Sequence, residues 1–151
     1  MTINLLLRPA TESDVDEFFA HRQARGEVSP SDYIGFVAGW RERLNNQSTR
    51  IKTLTVSEQV VGYVAQFTRA GVFEISYELG SQYWGKGFAT AALRQFVAGI
   101  DVRPLYARVA KDNARSIRVL QKSGFSAVGD DRYVTAEGEE TIELIFALGS
   151  S

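Results

Sequence analysis

The sequence predicts one α+β domain spanning residues 1–151, a mixed layout rather than a strictly alternating one. Three observations carry that prediction. The chain has 151 residues, 44% hydrophobic and 23% charged, which suits one hydrophobic core and is too short for two domains. Its hydrophobic period switches between helix and strand spacing in the order strand, two helices, three strands, helix, strand, helix, two strands. That order lacks the regular strand–helix alternation of a doubly wound sheet.

The elements follow in turn. INLLLRPA reads as a first strand. Thr11 or Ser13 then caps a helix whose positive end carries Glu12, Asp14, Asp16 and Glu17. That helix, DVDEFFAHRQAR, places Val15, Phe18 and Phe19 on one side. Gly26 and the run Ser29-Pro30-Ser31-Asp32 break it and start a second helix, YIGFVAGWRERLN, with Ile34, Val37, Trp40 and Leu44 at helical spacing. IKTLTV, VVGYVAQFTR and VFEISYEL are β-branched and aromatic runs joined by short turns, which predicts an antiparallel meander. FATAALRQFVAG is a helix with Ala92, Leu93, Phe96 and Val97 inward and Gly99 as its stop. PLYARVA is a strand, and NARSIRVLQKSG is a helix capped by Asn113 and ended by Gly124. The remainder closes as a hairpin about Ala136-Glu137-Gly138.

Composition narrows the function classes. A formal net charge of −1 argues against nucleic acid as the main partner. The absence of cysteine removes thiol nucleophiles, disulfides and thiolate metal sites. MTINLLLRPATESD is neither a signal peptide nor a membrane span, so a cytoplasmic address and no membrane partner are expected.

Between the third meander strand and the next helix lies GSQYWGKGFAT. Gly80, Gly85 and Lys86 fit the start of a nucleoside-triphosphate loop, but Gly87 stands where the magnesium-binding Ser or Thr belongs. The dinucleotide pattern fails too, since Gly85-Lys86-Gly87 is followed by Phe88, Ala89 and Thr90. The glycines sit after an apolar strand and at a helix start, where free N–H groups and the helix dipole favour an anion. A pyrophosphate fits there without a metal.

The stretch ISYELGSQYWGKGFATAAL resembles the acyl-CoA-binding motif of the GNAT superfamily of N-acetyltransferases, and YWGKGFA looks like its RimJ/RimL branch. The loop pattern Q/R-x-x-G-x-G/A can start at Gln82 or at Trp84; the second register, Trp84-x-x-Gly87-x-Ala89, keeps the expected spacing after Leu79. A second motif, an Asn after the fifth strand and a helix ending in Gly-Phe, is matched by Asn113 through Gly124-Phe125. The resemblance implies a GNAT fold: a mixed, mostly antiparallel sheet splayed at the strands flanking the acyl-CoA site, with helices on both faces. It implies acetyl-CoA as co-substrate, with no metal.

Pantetheine would add like a strand along Tyr77 to Leu79, and the pyrophosphate would rest on Trp84, Gly85, Lys86, Gly87, Phe88 and Ala89, with Thr90 nearby. Asn113 and Ser116 would meet the pantetheine arm. Between Gln82 and Lys122 stand eight basic side chains against two acidic ones, which supports an anionic ligand. The acceptor would be an amine, either a protein N-terminus or a small molecule, attacking directly in a ternary complex. Glu74 is the first candidate for the base, with Glu78 on the same face. The tyrosine that many relatives use as acid falls at Leu120 here, so Ser116, Tyr77 or water would substitute. The missing tyrosine also keeps open a non-catalytic acyl-CoA-binding sensor. A homodimer is common in the family.

Overall fold

The computed structural model describes residues 4–149. Among the described residues seven strands form one sheet in the order β1-β2-β3-β4-β5-β7-β6. They are β1 (Leu5–Pro9), β2 (Arg50–Val56), β3 (Gln59–Arg69), β4 (Val72–Leu79), β5 (Leu105–Ala110), β6 (Ser126–Val134) and β7 (Glu140–Leu148). The helices are α1 (Val15–Ala24), α2 (Tyr33–Leu44), α3 (Phe88–Ala98) and α4 (Ala114–Lys122). Ile3, the first residue of the expected opening strand, lies outside the described residues.

Local chemistry accounts for the boundaries. Thr11 opens the one-turn helix before α1 with a capping box, and the Asp14 carboxylate accepts from the Thr11 N–H at 3.0 Å. The β2–β3 turn, Ser57-Glu58, and the β3–β4 turn, Ala70-Gly71, have positive φ at both central residues. That is the hairpin geometry whose twist matches the flanking strands.

Strand alternation sends side chains to two cores on opposite faces of the sheet. On one face α1 and α2 bury Val15, Phe18 and Trp40 against Tyr63 and Ala65, with Trp40 4.8 Å from both the Phe18 and Tyr63 rings. On the other, Phe88, Leu93 and Phe96 of α3 and Leu120 of α4 pack on Val64, Ile75, Leu79, Leu105 and Phe146. A bulge lies opposite Leu54 and Thr55, whose partners are Gly62 and Val60, so Val61 is the extra residue. It turns Val61 into the α3 side, while Tyr63 faces α1 and α2.

Burial pushes the Tyr63 hydroxyl up to about 12. Its unfolded phenol ionises near pH ~10, so its contribution to stability is complete below that value and fades as pH climbs toward about 12. Unfolding free energy from urea titrations is expected to lose about 1 kcal/mol through this group by about pH 11, a loss absent in Tyr63→Phe.

The position that matters for function is between β4 and β5. They are parallel, and their register is Glu74↔Tyr106, near the start of each strand. Every other neighbouring pair is antiparallel. The Gly80 N–H donates to Val61 O, which fixes the phase of the β3–β4 ladder: Glu74, Ser76 and Glu78 bond toward β3, while Tyr77 and Leu79 turn their N–H and C=O toward β5. The Lys111 N–H bond to Ile142 O sets the β5–β7 ladder in the same way, so Arg108 and Ala110 face β4. Past Glu74↔Tyr106 the strands part, and two rows of backbone groups line the opening.

Candidate active site

The opening continues into a cleft of about 460 Å³. Tyr77, Glu78 and Leu79 come from β4; Trp84, Gly85, Gly87, Phe88, Ala89 and Thr90 come from the loop and first turn of α3. Asn113 and Ser116 come from the start of α4. Every cofactor residue expected from the sequence therefore lines the cleft except Lys86.

The loop is built for close approach. After Leu79 the chain makes one turn of 3-10 helix at Ser81–Tyr83 and then takes φ +75° at Gly85 and +80° at Gly87. An added Cβ at either glycine would meet nothing within 4 Å, so the wall is bare backbone there. Gly87 is the N-cap of α3, and no side chain caps that end. The first N–H groups of α3 are left for an anion. Arg115, Arg118 and Lys122 of α4 line the same cleft and add positive charge. The Arg115 guanidinium lies 3.4 Å from the centre of the Trp84 ring, a cation–π stack that joins the loop to α4. The donor set, backbone N–H groups with three cations, fits a pyrophosphate-bearing ligand.

Deeper in the opening the Tyr77 hydroxyl donates to Ser116 Oγ at 3.0 Å, bringing together the two side-chain substitutes for the missing tyrosine acid. Asn113 Oδ1 accepts from the Ser116 N–H at 3.2 Å and so caps α4 and sets Ser116 in place. Burial raises the Tyr77 hydroxyl above its ordinary value, opposed by the Arg115 charge. It is a neutral donor through the neutral range. Leu120 is buried in the core and does not reach the cleft.

The two carboxylates of β4 part company. Glu74 does not line the cleft. It is 3% exposed at the joined end of β4 and β5, with Arg69 at 3.0 Å and Arg108 at 3.8 Å. Glu78 does line it, and its carboxylate takes a bidentate pair from Arg22 at 2.9 and 3.0 Å. Five residues of strand at ~3.3 Å each separate Glu74 from Leu79, roughly 16 Å along β4. The side-chain alternation that groups Glu74 with Glu78 holds, but only one of them stands at the open end.

Sequence reading missed Arg25, Glu27 and Tyr83, all lining the cleft. Arg25 and Glu27 flank Gly26 (φ +73°), the break after α1, and only the fold brings that break to β4. His21 packs beneath the loop at Gly80, where a Cβ would come within 2.8 Å of its ring; burial, chiefly, lowers its pKa.

A mixed sheet split between parallel β4 and β5, with a glycine loop at the mouth of the split, is the GNAT fold. The chain belongs to that family: the acetyltransferase (GNAT) domain matches residues 4–126. An uncharacterized N-acetyltransferase of Bacillus licheniformis, p20, is 32% identical over 83 residues, 52% of this chain and 47% of that protein. The chain thus spans about half the length of this curated relative. The fold also resembles RimL, a ribosomal L7/L12 α-N-protein acetyltransferase solved with coenzyme A. There the TM-score is 0.77 at 17% identity, covering 95% of this chain and 92% of that one. A spermidine N-acetyltransferase SpeG chimera from Vibrio cholerae and hSSAT gives TM-score 0.75 at 15% identity, covering 93% of each chain. Among the described residues no helix is long and apolar enough to cross a membrane.

Proposed function

We propose that this protein is an acetyl-CoA-dependent N-acetyltransferase whose acceptor is a primary amine attacking directly in a ternary complex. The observation that carries the reading is the Tyr77–Ser116 hydroxyl pair lining the cleft, beside the gap-facing N–H groups of β4 and the anion-ready start of α3. Acetyl-CoA supplies an activated acyl group on a good leaving thiolate. The chain supplies the rest. The gap-facing N–H groups of Tyr77 and Leu79 align the pantetheine arm and polarise the thioester carbonyl. As the amine nitrogen bonds to that carbon and the C–S bond breaks, Tyr77 Oη turns its proton from Ser116 Oγ to the sulfur, and the Ser116 hydroxyl donates to the phenolate left behind. Asn113 and Ser116 hold the phenol in line. The proton lost by the amine goes to Glu78, directly or through water.

Glu78 takes that role in place of Glu74 because it lies at the open end of the split. Two arginines already occupy it, at 2.9 Å from Arg22 and 3.1 Å from Arg25. A base so engaged suits an acceptor that arrives partly neutral. An α-amine of pKa ~8 is roughly 10% neutral at pH ~7, an alkylamine of pKa ~10.4 only about 0.04%. The acceptor we infer is therefore an α-amine, of a protein N-terminus or a small molecule.

The test is acetyl-CoA with a panel of amines, read as amide product by mass spectrometry and as released thiol. α-Amines are expected to outpace alkylamines at pH ~7, and the gap to narrow toward pH ~9 as the alkylamine loses its proton. Glu78→Gln is expected to slow turnover by about 10²-fold. A larger loss from Glu74→Gln would return the base to Glu74. Coenzyme binding with no product from any amine would favour the sensor reading, and no coenzyme binding would overturn both.

A further inference from the structure

Arg25 is the C-cap residue of α1, and its side chain is 9% exposed. Its guanidinium donates from Nη1 to the Leu79 carbonyl at 2.8 Å and from Nε to Glu27 Oε2 at 2.6 Å. Nη2 reaches Glu27 Oε1 at 3.3 Å and Glu78 Oε2 at 3.1 Å. One half-buried fork therefore holds three groups with different duties. Leu79 C=O belongs to the open edge of β4. Glu78 stands beside it with Arg22, and Glu27 lies between the cleft and a second concavity formed by Val28, Ser31, Asp32, Gly35 and Phe36.

The Leu79 carbonyl is already saturated. An oxygen of this kind has two lone pairs, and its donors are Arg25 Nη1 at 2.8 Å and Trp84 Nε1 at 3.2 Å. An amide N–H that adds along β4 at Leu79 takes that same oxygen. One of the two side chains must then yield. The weaker, longer contact is that of Trp84, but its ring is pinned by the Arg115 stack. Arg25 has carboxylates to retain it after it leaves the carbonyl, so its charge stays paired throughout. A planar guanidinium whose five donors are fixed relative to one another cannot drop one contact and keep the others unmoved.

We propose that Arg25 is a positioning residue that couples the two halves of the site. When a strand-like amide takes the Leu79 carbonyl, Arg25 shifts with Glu27 and Glu78. The proposal rests on the acetyl-CoA reading of the cleft and adds to it the side chain that carries the change across.

Hydrogen exchange on the full chain, with and without coenzyme A as the probe, tests it without any acceptor. In the wild type, coenzyme A changes exchange over residues 22–31 by about fivefold or more. Arg25→Gln still binds coenzyme A by calorimetry, and that change disappears. Arg25→Lys, which keeps the charge and loses the fork, also abolishes it and covers the case in which the Gln variant fails to fold. A merely structural Arg25 would give faster exchange in its variants both with and without coenzyme, with the coenzyme-dependent difference retained. That result overturns the proposal, as does wild-type binding that leaves residues 22–31 untouched. If the wild type binds no coenzyme A, the acetyltransferase reading itself fails and this coupling falls with it.

Discussion

Tyr77→Phe is expected to lower kcat by about 10²-fold or more while leaving coenzyme affinity within a few-fold of the wild type, in line with the usual worth of a positioned proton donor. The substitution removes one oxygen and keeps the ring, so the packing of Tyr77 at the cleft wall survives. What is lost is the proton for the leaving thiolate and the 3.0 Å hydrogen bond to Ser116. Ser116→Ala should cost less, since the phenol remains. The pH profile separates an acid from a packing residue. Burial holds the Tyr77 hydroxyl above its ordinary value, so the protonated, active form persists past pH ~10, and activity carried by Tyr77 declines only above that. In Tyr77→Phe that alkaline limb should vanish from kcat measured with acetyl-CoA. A variant with unchanged kcat and weaker coenzyme binding would make Tyr77 a wall and nothing more.

Gly62→Ala is expected to be the most damaging single-methyl change near the site. A Cβ at Gly62 would stand 2.0 Å from the Glu78 carbonyl oxygen and 2.9 Å from Leu79 Cα, and both are backbone. Neither can swing aside as a side-chain tip would. The β3–β4 ladder must open where Glu78 and Leu79 present themselves to the cleft. Overpacking of this kind costs about 3 kcal/mol. For a domain of this size that is a fall in Tm of roughly 6–12 °C. Coenzyme affinity should fall in the same variant, because the displaced backbone is the edge that pantetheine would join. Calorimetric unfolding and coenzyme A titration on one preparation check both halves. A variant with wild-type Tm and affinity would mean that β4 at Glu78 and Leu79 gives way freely.

The loop and α4 side of the cleft was legible in the sequence because its parts are local. The positive φ of Gly85 and Gly87, the cap at Asn113 and the inward row of α3 depend on residues within a turn or two of one another. The side of the cleft that follows α1 was not. Arg25 meets Leu79 across 54 positions, and Arg22 meets Glu78 across 56. Nothing in the composition of α1 distinguishes these arginines from solvated ones.

Glu74 and Glu78 show the boundary most plainly. Period-two alternation puts both on one face of β4, and from the sequence they are equivalent. The sequence by itself determined the order of elements, the glycine turn into α3 and the pairing of two motifs, since each is written in short-range sterics and hydrogen bonding. Where the sheet divides was decided by tertiary structure. Backbone ladders on the far sides of β4 and β5 hold the two strands together at Glu74 and let them separate by Leu79, leaving one carboxylate sealed among arginines and the other at the cleft.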